Sequence, residues 1–129
     1  MTDSLKKAYA YSIGREVLYQ TSGCLLLNIQ RVGESSPKVC SLKLRKTMSE
    51  LFLYLLENAT TRVVSDEELL TQVWDKNGLK GTPHRLWEVM KDLKRKISEL
   101  GVDEEFILRI NSHGYLIKDG FVLPLYHIG

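Results

Sequence analysis

The sequence predicts an α+β fold with an antiparallel sheet at the N-terminus, then three helices, then a closing β-hairpin. Three observations predict it. Short β-prone runs separated by turns fill the first third of the chain. From Thr47 onward the apolar residues recur at helical spacing, in three segments that each open on a capping signal. Near the end, the apolar runs FILRI and YLI flank an NSHG tip that finishes on glycine, as a hairpin turn does. At 129 residues, with 43% hydrophobic and 26% charged side chains, the chain has the size and composition of one globular domain able to bury a core. The expected unit is a single domain over residues 1–129, its core about 12–118 and residues 119–129 a C-terminal extension.

REVLYQ (15–20) and CLLLNIQRV (24–32) read as strands, with TSG (21–23) as the turn between them. GESSP (33–37) is a loop, and KVCSLKL (38–44) alternates apolar and polar residues like a half-buried strand. Their short connections make the three an antiparallel meander. Thr47 and Glu50 then stand at capping-box spacing before MSELFLYLLEN, which predicts a first helix ending near Asn58. Apolar residues occupy much of its girth, so it should lie deep in the core.

Ser65 and Glu68 form a second capping box, with Val64 and Leu69 at the staple positions around it. The helix they start should run to about Asp75, with Asp66, Glu67 and Glu68 at its positive end. After the loop KNGLKG (76–81), Thr82 caps a third helix. Pro83 suits its first position, where a missing N–H costs nothing. This helix should run to Leu100, with Gly101 as its stop. The second and third helices then form a helix-turn-helix-like pair, and the terminal hairpin supplies a wing.

The third helix contains RLWEVMKDLKRKISEL, five Lys or Arg among sixteen residues. At roughly 100° per residue, Leu86, Met90, Leu93, Ile97 and Leu100 share one direction and form the buried stripe. The opposite direction collects His84, Glu88, Lys91 and Arg95, with Asp92 and Glu99 beside them. Such a face is either a reader of the DNA major groove, where Lys and Arg meet phosphates and guanine edges, or an ordinary solvated face. Trp87, on the flank, reads as a core residue at the sheet–helix border in preference to a DNA or partner contact.

Net charge is only +2, but it is distributed unevenly. Residues 1–46 hold eight Lys/Arg against three Asp/Glu, 47–75 one against six, 76–101 seven against three, and 102–129 two against four. A basic surface results if the two basic segments converge. Cys24 and Cys40 have no metal-ligand spacing and read as two half-buried thiols in strands. His84, His113 and His127 are too scattered for a metal site. No nucleophile elbow, C-x-x-C or glycine-rich phosphate loop is present, so no enzyme, cofactor, metal or small-molecule substrate is expected. Met1 to Tyr11 lacks an apolar leader core, and FVLPLYHI (121–128) is too short to span a bilayer, so the expected location is cytoplasmic.

The ordered set E-x-L-L-x-x-V-W, then L-x-x-x-M-x-x-L-K-R-K-I, then I-x-x-x-G-Y resembles the OmpR/PhoB-type winged helix-turn-helix DNA-binding domain. Within that family it is most similar to the ToxR/CadC branch of bacterial transcriptional regulators, over about residues 12–118. The resemblance implies double-stranded DNA as partner, with the helix 82–100 in the major groove and the wing 107–117 near the minor groove. It carries base and phosphate contacts onto His84, Arg85, Glu88, Lys91, Asp92, Lys94 and Arg95. Trp74 falls at a position that supports or touches the phosphate backbone, Arg109 at a strand position that reaches it, and Asn111, Ser112 and His113 at the wing tip.

The chain departs from the common pattern with an acid at Asp92, an apolar residue at Val89 and no Lys or Arg at the wing tip. The expectation is weak binding by one copy, strengthened by a homodimer, by tandem half-sites or by a partner regulator. Leu79, in the loop before the third helix, is either a loop anchor or a residue facing RNA polymerase. The alternative function is a winged-helix protein-interaction module or co-regulator with little DNA binding of its own.

Overall fold

The computed structural model describes residues 7–29 and 40–127. Strands β1 (Ala10–Ile13), β2 (Val17–Gln20), β3 (Leu25–Asn28) and β4 (Ser41–Lys43) precede helix α1 (Lys46–Asn58). A short strand β5 (Val64–Ser65) leads into α2 (Asp66–Leu69), and α3 (Pro83–Glu99) follows. Strands β6 (Ile107–Ile110), β7 (Gly114–Ile117) and β8 (Val122–Leu125) complete the chain. The expected α+β order holds, with three added strands, β1, β5 and β8.

Strands β1 and β8 turn the meander into a five-stranded sheet of order β4-β3-β2-β1-β8. They pair antiparallel from Ala10↔Leu125 to Ile13↔Val122, joining chain ends more than a hundred residues apart. Pro124 is tolerated because β8 is an edge strand, where a missing donor breaks no ladder. Alternate side chains (Tyr11, Ile13, Val17, Tyr19, Leu26, Val122) are buried, and they form the sheet's contribution to the core. The second sheet, of order β5-β7-β6, contains the wing.

The meander is shorter than its sequence suggests. Arg15 and Cys24 adopt left-handed backbone in the turns before β2 and β3, at φ 77° and 54°, so neither belongs to a strand. Both cysteines are free, Cys24 half-buried in its turn and Cys40 exposed before β4, which corrects their expected placement in strands. The expected loop at 33–37 and the end of the second strand beyond Ile29 lie outside the described residues.

Helix α1 begins earlier than the capping box implied. Its N-cap is Arg45, without a side-chain bond, and Thr47 is already inside the first turn. The cause lies in the sheet: Leu44 is buried and its amide bonds the Cys24 carbonyl, so the chain leaves β4 there and turns directly into helix. Glu50 is used elsewhere, accepting from Asn77 at 3.0 Å. Met48, Leu51, Phe52, Leu55 and Leu56 are buried, as the apolar girth predicts. Tyr19 packs edge-on to Phe52 at 4.9 Å, and its hydroxyl shares a hydrogen bond with buried Ser49. Burial pushes the Tyr19 phenol up to about 12.

At α2 the capping signal is half realised. Ser65 Oγ accepts from the Glu68 amide at 3.0 Å. The Glu68 carboxylate does not return to Ser65, because Arg62 takes both oxygens, at 2.9 and 2.7 Å, and the Tyr54 hydroxyl donates to it as well. The helical path widens to a π-turn over Leu70–Trp74, tightens over Asp75–Asn77, and ends at Gly78 with φ 73°. No helix among the described residues is long and apolar enough to cross a membrane.

Candidate nucleic-acid interface

The seat of α3 is built from α2. At Gly81 an added Cβ would lie 2.7 Å from Trp74 Cγ and 2.9 Å from Leu70 Cδ2, so only glycine lets the incoming loop ride over the indole. Trp74 is 2% exposed and supports that loop rather than standing out from it. Thr82 Oγ1 then accepts from the Arg85 amide at 3.1 Å, and Pro83 occupies the first turn. Leu86, Met90, Leu93, Ile97 and Leu100 are all buried, so the stripe read from angular spacing is the face that docks on the core.

The opposite face lies open, and its charges are arranged in pairs and singles. His84 Nε2 stands 3.3 Å from Glu88 Oε2 one turn on. Arg95 bridges Asp92 and Glu99, the latter at 3.0 Å, and its guanidinium holds the Asp92 carboxyl below the usual range. Lys91 sits 4.9 Å above the Trp87 ring. Arg85 and Lys94 make no salt bridge among the described residues. Trp87 itself is 53% exposed, which corrects its reading as a core residue. It lies about 100° away from the buried stripe, and nothing in the sheet reaches across to cover it.

A concave surface runs along this face. Of the residues expected to meet DNA, it gathers Trp74, Arg85, Glu88, Lys91, Asp92, Lys94, Arg95 and Arg109, while His84 and the wing tip lie outside it. It also takes in Arg45 and Lys46 from the start of α1 and Lys80 from the loop before α3, none of which stood out from motif spacing. Their signal was the basic excess of residues 1–46 for Arg45 and Lys46, and of residues 76–101 for Lys80. The two basic segments of the chain therefore do converge, on a surface where eight Lys/Arg face the three acids Glu88, Asp92 and Glu104.

The wing is fixed to α2. Arg109 on β6 donates to both Asp66 carboxylate oxygens, at 2.6 and 2.9 Å, and to the Ser112 carbonyl at 2.9 Å. The Asp66 carboxylate raises the Arg109 pKa, and the guanidinium also lies 4.6 Å over the Tyr115 ring. The Asp66 amide donates to the His113 carbonyl at 2.8 Å. Asn111 and Ser112 turn the chain with φ 49° and 60°, and with His113 they form an exposed tip. At Gly114 a Cβ would meet Val63 Cγ1 at 2.6 Å and the Val64 carbonyl at 2.8 Å. The glycine of the G-Y motif thus serves close strand approach. Among the described residues no cluster of His, Cys, Asp or Glu is arranged to hold a metal ion.

A family model described as transcriptional regulatory protein, C terminal, matches residues 40–117. Among solved structures, the chain is similar to the DNA-binding domain of E. coli CadC, with a TM-score of 0.67 and 19% identity. That likeness covers 92% of this chain and 98% of the other. Among curated proteins, nothing matches.

Proposed function

The chain belongs to the family of transcriptional regulatory protein C-terminal domains, the OmpR/PhoB type with the CadC-like winged helix, and on that premise we propose that it regulates bacterial transcription by binding duplex DNA with α3 in the major groove. The wing, residues 107–117, approaches the minor groove. The observation that carries this reading is the convergence of Arg45 and Lys46 with Lys80, Arg85, Lys91 and Lys94 along α3, from segments far apart in sequence. An α-helix bearing cations on both flanks of its outward face matches a major groove bordered by two phosphate strands.

The side chains divide by chemistry. Arg85 and Lys94, free of carboxylate partners among the described residues, contact phosphates or guanine edges. Arg45 and Lys46 add phosphate contacts beside the positive end of α1. Asp92 and Glu99 hold Arg95 in one rotamer, and Glu88 does the same for His84, which favours base selection over bulk affinity. Asn111, Ser112 and His113 offer hydrogen bonds without fixed charge. Trp74 acts from behind, by setting the loop, and Arg109 sets the shape of the wing. With several cations already countered, one copy binds weakly, and tandem or dimeric binding on paired half-sites supplies strength. Leu79, 45% exposed beside Lys80, is a surface for RNA polymerase or a partner regulator. The working location is the cytoplasm, where the chromosome is.

The test is selection from random duplexes followed by titration of the recovered sequence at several salt concentrations. Log affinity should fall steeply with log salt. Absence of salt-dependent duplex binding ends this reading. The second reading, a protein-interaction module, draws on the intramolecular pairing of Arg95 and Arg109 and on the uncharged wing tip. It predicts loss of regulation on mutating α3 with duplex binding absent throughout.

A further inference from the structure

A half-exposed tryptophan stands on the outward side of α3, and neither the core nor the wing uses it. Trp87 is 53% exposed, with the His84 ring stacked beside it at 6.0 Å and Lys91 held over it at 4.9 Å. These neighbours fix the indole on the helix surface instead of letting it fold back. Lys94, one turn beyond Lys91, continues the same flank with no salt bridge among the described residues.

An apolar ring bordered by cations on one side of one helix restricts what can cover it. A purely apolar protein surface would strand the Lys91 and Lys94 charges, and an acidic peptide would leave the indole wet. The major groove offers both in one footprint: thymine carries a C5-methyl group on the groove floor, and phosphates stand at its edge. We propose that Trp87 is a specificity-determining residue that reads thymine through its C5-methyl, with Lys91 and Lys94 reaching the adjoining backbone. This rests on the duplex-binding reading of α3 and adds to it a base identity and the residue that selects it.

The test uses the full chain and the duplexes recovered by selection, with each thymine replaced in turn by deoxyuridine. That exchange removes one methyl and leaves every hydrogen-bonding group in place. Binding of the wild-type chain should weaken at one or two positions, roughly fourfold for a single buried methyl. Trp87→Ala should bind the thymine duplex more weakly and lose its response to deoxyuridine at those positions. Trp87→Phe, which keeps an apolar ring, should retain part of it. The salt slope of Trp87→Ala should match wild type, whereas Lys94→Ala should flatten it.

Equal affinity for thymine and deoxyuridine duplexes at every position overturns the proposal while leaving duplex binding intact. So does a Trp87→Ala chain that keeps the wild-type deoxyuridine response. Unchanged duplex binding by Trp87→Ala, combined with lost regulation in cells, would overturn it too and assign the indole to a protein partner. Failure of every duplex to bind is a different result, and it removes the parent reading instead. The deoxyuridine scan requires no variant to fold.

Discussion

Arg109 on the wing strand grips Asp66 at the start of α2 with both terminal nitrogens, at 2.6 and 2.9 Å, across forty-three positions of sequence. The same guanidinium holds the Ser112 carbonyl, so one side chain ties the wing tip to the helix-turn-helix pair. A fork of donors on a planar carboxylate fixes orientation as well as distance. The wing is therefore set in angle relative to α2.

Arg109→Ala should loosen the wing more than it destabilises the domain. Both partners are partly solvated, so the expected stability loss is only about 0.5–1 kcal/mol. Amide hydrogen exchange over residues 111–113 should accelerate, and duplex affinity should fall severalfold. Unchanged exchange at the tip would show that the Asp66 amide bond to His113 suffices alone.

Lys94 and Arg95 are neighbours with different expected effects. Removing Lys94, which has no countercharge, should reduce the slope of log affinity against log salt by about 1. Arg95→Ala should change that slope less, because Asp92 and Glu99 already neutralise it. Asp92→Asn should act in the opposite sense, removing one of the two carboxylates on Arg95, strengthening nonspecific duplex binding and steepening the slope. Salt titrations of the three variants on one duplex compare them directly.

Acid should weaken the domain through Glu68. Its carboxyl is lowered from 4.5 to about 2, first by the Arg62 hydrogen bonds and then by Tyr54. A lowered carboxyl stabilises the fold fully above its unfolded value, and that stabilisation drains away as pH falls from about 4.5 toward 2. Thermal melts of Glu68→Gln should therefore lie below wild type at pH 7 and converge with it under strong acid. Parallel curves across that window would remove Glu68 from the account.

Two core positions should report on how α3 and the sheet are held. Gly81→Ala forces a methyl against Trp74 and Leu70, with an expected loss of about 1–3 kcal/mol and a disturbed loop before α3. Tyr19→Phe deletes a buried hydrogen bond, with an expected loss of about 1 kcal/mol because Ser49 can turn its hydroxyl to a backbone carbonyl of its own helix. Denaturant melts read both. Duplex binding should suffer only in Gly81→Ala.

By itself the sequence determined the succession of strand meander, three helices and closing hairpin, the Thr82–Pro83 start of α3 and the buried Leu86–Met90–Leu93–Ile97 stripe. These depend on spacing and capping, which act within a few residues. Tertiary structure decided the rest. It paired β1 with β8, although each is only four residues long and its partner lies at the other end of the chain. It moved the N-cap of α1 from Thr47 to Arg45, because the last bond of the sheet falls at Leu44. It left Trp87 in solvent, drew Arg109 onto Asp66, and brought Arg45 and Lys46 alongside α3. The physical reason is common to all of these: exposure and charge pairing depend on distances between segments, and periodicity along one segment has no access to them.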